Sequence, residues 1–152
     1  MEKRHSIIYK MDIKDLDEVV SIETSASLTP WSKNMFVEEM RNRFAYCFVL
    51  KIEDGSKQPV IGFICFRNIK EESELLNISV RTNYLQLGIG KKLMQFYIDF
   101  SNRRGIRTFY LEVNASNQSA IHLYRLFSYQ SSGVRKKFYQ GKFDALLMMK
   151  KS

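Results

Sequence analysis

The sequence predicts an α/β chain of the α+β type: a mixed, mostly antiparallel twisted sheet of about seven strands with about four helices. Three observations lead there. Two apolar, aromatic-rich runs, 44–52 and 59–69, flank Glu53-Asp54-Gly55-Ser56-Lys57-Gln58 and read as an antiparallel hairpin. The stretch 74–113 reads as strand, helix, strand, which requires a parallel crossover. Strands also outnumber helices along the chain.

The first strand is read over 5–11. Asp12 then serves as an N-cap with Asp15 in the first turn, opening a helix to about Ser25 whose apolar face is Ile13, Leu16, Val20 and Ile22. Pro30-Trp31-Ser32 interrupts, and Ser32 caps a short helix carrying Phe36 and Met40 one turn apart. After the hairpin comes a strand over 74–80, then Arg81-Thr82-Asn83-Tyr84 and Gly88-Ile89-Gly90. The helix behind the glycines places Ile89, Leu93, Phe96, Tyr97 and Phe100 on one face. Gly105 suits the C′ position that stops it, and Arg103 and Arg104 suit the negative helix end. A strand over 108–113, a helix over 117–127 and strands over 133–139 and 143–150 complete the chain.

Composition bounds the class. Of 152 residues, 45% are hydrophobic and 26% charged, as in an ordinary globular domain, and the length argues for a single domain over 1–152. No apolar run approaches the ~20 residues that span a bilayer. Met1-Glu2-Lys3-Arg4-His5 is charged and no signal-length apolar stretch follows, so the chain is expected to be cytoplasmic. Cys47 and Cys65 lie in apolar runs without a CxxC spacing, and His5 and His122 are the only histidines. That set gives neither a disulfide framework nor a zinc centre. The 24 Lys plus Arg exceed the 16 Asp plus Glu, and the net charge of +8 favours anionic partners.

Two features could carry chemistry. Gly88-Ile89-Gly90 turns the chain tightly between strand and helix, leaving backbone N–H groups uncovered at a helix N-terminus where phosphate fits, with Lys91 adding a full charge. The loop is not a P-loop, since GxxxxGK[ST] is absent, and it lacks the third glycine of a dinucleotide fingerprint. The second feature is Glu112, followed by Asn114, Asn117 and Tyr124. A carboxylate near the end of a central strand is expected to be poorly solvated, which suits a general base. Tyr124 lies two turns after Asn117 on the same helical face, where a phenol could donate a proton or simply pack. His122 has no neighbouring Asp, Ser or Cys to make a triad and reads as structural.

Taken together, the order of strand, Gly88-x-Gly90, helix, Leu111-Glu112-Val113, Asn117 and Leu123-Tyr124 resembles the GNAT superfamily of acetyl-CoA-dependent N-acetyltransferases over essentially the whole chain. Within it the chain is similar to the ribosomal-protein-alanine N-acetyltransferase branch. Pro30-Trp31-Ser32 with Phe36, Leu111 through Asn117, and Tyr139 with Asp144-Ala145 carry that finer match. Departures from the family pattern are Leu85 at the first position of the phosphate loop, Asn114 for arginine, Ser128-Tyr129 for Gly-Phe, and Phe143 for glutamate.

The resemblance implies a splayed parallel strand pair, ending at Val80 and Val113, with acetyl-CoA as co-substrate and no metal. Pantetheine would pair with backbone at Ile78, Ser79 and Val80, and pyrophosphate would sit on the amides of Gln86, Leu87, Gly88, Ile89, Gly90 and Lys91. Asn117 would bond the pantetheine arm. Glu112 would be the general base, the Val80 N–H the oxyanion donor and Tyr124 the acid that protonates the leaving thiolate. Trp31, Tyr139 and Asp144 would hold the acceptor, a protein N-terminus, with alanine first and serine second, on a ribosomal protein. Neither a membrane nor a nucleic acid is required. Two alternatives stand beside this one. One is a lysine or small-molecule amine as acceptor, against which the +8 charge argues because cationic acceptors call for acidic pockets. The other is a non-enzymatic RNA- or ribosome-binding module using Arg103, Arg104, Arg107, Lys136 and Lys137, with Phe109 and Phe138 as stacking platforms.

Overall fold

The structure, a computed structural model, describes residues 5–139 and 141–152; the charged start at 1–4 lies outside them. Seven strands form one mixed sheet in the order β1-β2-β3-β4-β5-β7-β6. They are β1 (Ser6–Lys10), β2 (Ala45–Ile52), β3 (Val60–Ile69), β4 (Glu72–Val80), β5 (Thr108–Asn114), β6 (Gln130–Tyr139) and β7 (Phe143–Lys151). Four helices accompany them: α1 (Leu16–Ala26), α2 (Lys33–Arg41), α3 (Ile89–Asn102) and α4 (Gln118–Leu126). The expected parallel pair is β4 with β5, whose ladder runs from Glu72↔Thr108 to Leu75↔Leu111. The pairs β1–β2, β5–β7 and β6–β7 are antiparallel. No helix among the described residues is long and apolar enough to cross a membrane.

Contacts divide the chain into two compact units, one running through Phe66 together with Asn77–Leu93, the other Arg67–Leu76 with Met94–Ser152. In the first unit, Asp12 caps as expected, accepting from the Lys14 N–H, while Asp15 accepts from the Asp12 N–H. The element it opens is a 3-10 turn at Ile13–Asp15 that runs into α1, and this rotates Ile13 outward to 64% exposure. The buried row of α1 is instead Leu16, Val19 and Ile22, with Glu23 beside them. Ser32 caps α2 through the Met35 N–H at 3.2 Å, and Phe36 is fully buried between Trp31 and Phe63. The hairpin turns at Asp54–Lys57, which exchange two backbone hydrogen bonds. Cys47 and Cys65 are buried thiols, as expected of small hydrophobes, and burial pushes the Cys65 thiol up.

In the second unit, α3 buries Tyr97 with Met94 and Ile98 beside it, wider than the expected stripe, whereas Phe96 and Phe100 are half-buried and pack on each other. Gly105, at φ +84°, closes α3 from the C′ position as expected: the Ile106 N–H bonds the Ser101 carbonyl and the Gly105 N–H bonds the Asn102 carbonyl, the Schellman pattern. On β5 the side chains alternate, with Phe109, Leu111 and Val113 buried and Tyr110 and Glu112 outward. The α4 C-terminus is a Schellman motif. Tyr129 N–H bonds the Tyr124 carbonyl, Ser128 N–H bonds the Arg125 carbonyl, and Ser128 takes φ +70°. The accompanying apolar contact is Tyr124 on Tyr129, ring centres 5.9 Å apart.

Candidate active site

The glycine loop brings forward backbone rather than side chains. Gln86 and Gly88 adopt φ +64° and +80°, so left-handed residues alternate along the turn into α3. Such alternation aims successive N–H groups to one side, and the first turn of a 14-residue helix has no intrahelical acceptors for its donors. A Cβ at Gly88 would meet nothing within 4 Å, so glycine is there for its φ and the loop stays open. Leu85 and Leu87 are 54% and 64% exposed, and Lys91 is exposed. This geometry fits a pyrophosphate held by amides with one nearby cation. Ile78, Ser79 and Val80, expected to meet the pantetheine arm, are half-buried residues at the β4 C-terminus.

The carboxylate of Glu112 is not the desolvated group expected from its strand position. It keeps 34% of its side-chain surface, and Arg135 Nη2 lies 3.1 Å from Oε1. The reason is the alternation of β5, which turns Glu112 to the face opposite Leu111 and Val113. Arg135 reaches it from β6 across β7. In register the row Asn114–Ala145–Arg135 lies beside the row Glu112–Leu147–Gly133. Ala145, between Asn114 and Arg135, carries only a methyl, while Leu147 fills the space over Gly133, its Cδ1 3.2 Å from where a Cβ would stand. Arg135 also sits 5.5 Å above the Phe138 ring, and Phe138 meets Tyr139 edge-on at 5.1 Å.

Two tyrosines extend this group. Burial pushes the Tyr139 hydroxyl up, and the nearby Glu112 charge adds to that. Tyr124 is buried, and its hydroxyl is pushed up by burial first and by Tyr139 second. Glu112, Tyr139 and Tyr124 therefore lie within electrostatic reach of one another in sequence. An accessible carboxylate can accept a proton, and a phenol held neutral by burial can donate one.

The other expected residues divide. Asn117 caps α4 through Oδ1 to the Ala120 N–H at 3.2 Å, which leaves its amide nitrogen as the group able to meet a ligand. Trp31 is half-buried on Phe36, and its backbone N–H bonds Glu23 Oε2 at 3.0 Å. The same oxygen accepts from Asn77 Nδ2 at 2.8 Å, so a buried carboxylate ties the Trp31 loop to β4. Asp144 accepts the Lys137 N–H at 2.8 Å and has Lys136 at 3.9 Å. His122 is exposed on α4. The stacking platform proposed for RNA is lost at Phe109, which is fully buried against Tyr97.

Sequence reasoning did not find Arg135, Glu23 or Asn77. Arg135 sat unremarked beside Lys136-Lys137, and its partner lies two strands away. A lone glutamate inside the apolar row of α1 was the available signal for Glu23.

The acetyltransferase (GNAT) family pattern matches residues 13–129. The chain is 30% identical over 144 residues to the [ribosomal protein bS18]-alanine N-acetyltransferase of Escherichia coli K12, covering 93% of this chain and 94% of that one. It is 28% identical over 148 residues to the putative enzyme of the same name in Bacillus subtilis, covering 97% and 95%. The crystal structure of the ribosomal-protein-S18-alanine N-acetyltransferase from Escherichia coli superposes with a TM-score of 0.84 at 30% identity, covering 95% of this chain and 92% of that chain. A shared fold, an open mixed sheet with the β4–β5 parallel pair, and sequence likeness along nearly the whole length agree: the chain belongs to the GNAT family of acetyltransferases.

Proposed function

We propose that this single-domain enzyme transfers acetyl from acetyl-CoA to the α-amino group of a protein N-terminus, alanine in the first instance, on a ribosomal protein. The observation that carries the acceptor class is the 30% identity, spread along nearly both full chains, to an enzyme named for an alanine of ribosomal protein bS18. The amine must attack as the neutral species, and an α-amino pKa near 8 leaves a modest base enough to do. Glu112, accessible and fixed by Arg135, takes that proton directly or through one water. The nitrogen forms its bond to the thioester carbon while the oxyanion meets the Val80 N–H. The C–S bond breaks, the sulfur leaves with its electron pair, and Tyr124 gives it the proton. The balance is amine plus thioester to amide plus thiol, with no covalent enzyme intermediate. The 86–91 amides carry the pyrophosphate, Asn117 the pantetheine arm, and Trp31 with Tyr139 the first acceptor residue.

The test is mass spectrometry of an Ala-leading peptide that also carries an internal lysine, incubated with enzyme and acetyl-CoA. Acetyl on the α-amine supports the reading. Acetyl on the lysine with the α-amine left free overturns it.

A further inference from the structure

Asp144 was expected to meet the acceptor, yet its carboxylate is already committed within its own hairpin. Oδ1 accepts the Lys137 N–H at 2.8 Å and Oδ2 faces the Lys136 ammonium at 3.9 Å. Its backbone carbonyl accepts the Ala115 N–H at 2.9 Å, which fixes β7 against the end of β5. Lys137 stands where β6 is irregular. The β6–β7 register shifts between Arg135 and Tyr139, and Lys137 has φ +51°, a conformation that costs a non-glycine residue energy. A strained bulge persists only where neighbouring groups hold it. The bond from Asp144 does so, because it satisfies the N–H that the bulge removes from the ladder.

The bulge decides what its two flanks do. On one side Arg135 reaches Glu112, and on the other Tyr139 pairs with Phe143. Three residues of β6, 136–138, stand opposite the single residue Asp144 of β7, so removing the two extra residues would move one flank two positions along the sheet relative to the other. We infer that Asp144 is a positioning residue: by holding the β6 bulge at Lys137, it sets Arg135 on the Glu112 carboxylate and Tyr139 beside it. Arg135 is a second positioning residue, since by taking Oε1 it orients the other oxygen of the base. This rests on the reading of Glu112 as the base.

The experiment compares Asp144→Leu, Asp144→Asn, Arg135→Met and Arg135→Lys by steady-state kinetics on an Ala-leading peptide. Asparagine keeps an acceptor oxygen for the Lys137 N–H but drops the charge, so it separates bulge-holding from ion pairing with the amine. Expected is a fall in kcat of about tenfold or more for Asp144→Leu, with most of it recovered in Asp144→Asn at little change in acceptor KM. Arg135→Met should lower kcat with KM held, and Arg135→Lys should recover part. Arg135 is more than half exposed, so that pair of variants reads the role even if Asp144→Leu fails to fold. If Asp144→Asn instead raises acceptor KM as much as Asp144→Leu does, Asp144 binds the amine directly and the inference falls. It falls equally if Arg135→Met leaves kcat unchanged. Failure of the underlying reading looks different, because full activity of Glu112→Gln would remove the base while these comparisons stood apart from it.

Discussion

The loop at 85–90 and the wall built from β5, α4 and the β6–β7 hairpin bring polar groups forward by different means. In the loop the work falls to backbone. Gln86 and Gly88 are left-handed, the amides lead into α3, and the leucines at 85 and 87 point to solvent. In the wall it falls to side chains whose positions depend on distant partners. Glu112 pairs with Arg135 from two strands away, and Tyr124 packs on Tyr129 at the Schellman turn. A backbone device should tolerate exchanges of side chain and respond to φ. A side-chain device should fail on a single atom, its own or its partner's.

The sharpest way to break that contrast is Glu112→Gln, which keeps the shape and removes the proposed base. The expected fall in kcat is roughly 10²–10⁴-fold near neutral pH, with acetyl-CoA affinity almost unchanged. Turnover equal to the parent between about pH 6 and 9 would take Glu112 out of the mechanism.

Tyr124→Phe comes next, at about 10²-fold in kcat, because a thiolate leaves more readily than an amine and needs less help. Burial holds the hydroxyl of Tyr124 above its ordinary value, so the neutral, proton-donating form persists through the alkaline range. The kcat profile should therefore show no descending limb from this group up to about pH 10, where a free tyrosine would ionise. The same burial has a stability consequence. Tyr97, Tyr124 and Tyr129 are all raised when folded, so above pH ~10 the unfolded chain loses protons that the folded chain keeps. Their contribution is complete below that pH and drains away as pH rises, which a series of denaturant midpoints from pH 8 to about 11 would register.

On the loop side, Gly88→Ala tests φ alone, since its Cβ would meet nothing within 4 Å. Holding alanine at φ +80° costs roughly 1–2 kcal/mol, so the free loop relaxes elsewhere and binding must restore it. Acetyl-CoA Kd should rise by about tenfold, read by calorimetry. Leu85→Gln should move Kd by less than about threefold if, as proposed, amides do the holding. A large gain from glutamine would show that the side chain matters after all.

These contrasts also explain what could be read in advance. Strand and helix positions follow from periodicity and caps that act within a few residues: Ser32 and Asp12 cap as expected, and the four helices fall within the expected segments, α1 starting one turn later at Leu16. Local geometry likewise exposed the glycine loop. The 3-10 turn that rotates Ile13 outward was hidden because a cap looks the same before either helix type. The setting of Glu112 was hidden for a deeper reason. Strand alternation gives its face, but which face is covered depends on partners, and Arg135 becomes one only through the sheet order.

The smallest expected effect tests whether the wall hides a backbone device of its own. Ser128 occupies the C′ position of α4 at φ +70°, where the related family carries glycine, and it hydrogen-bonds through its N–H to the Arg125 carbonyl. Ser128→Gly relieves roughly 1–2 kcal/mol of left-handed strain. Against this, glycine loses about 0.5–1 kcal/mol more conformational freedom on folding. The difference, a gain of about 0.5–1 kcal/mol, corresponds to a melting temperature higher by about 1–4 °C for a chain of this size. Since the Schellman bonds to Tyr124 and Arg125 use backbone alone, kcat should stay within about twofold of the parent. A melting temperature that falls would mean that the serine hydroxyl or its packing stabilises the turn more than its φ strains it. The end of α4 would then belong with the side-chain devices of the wall.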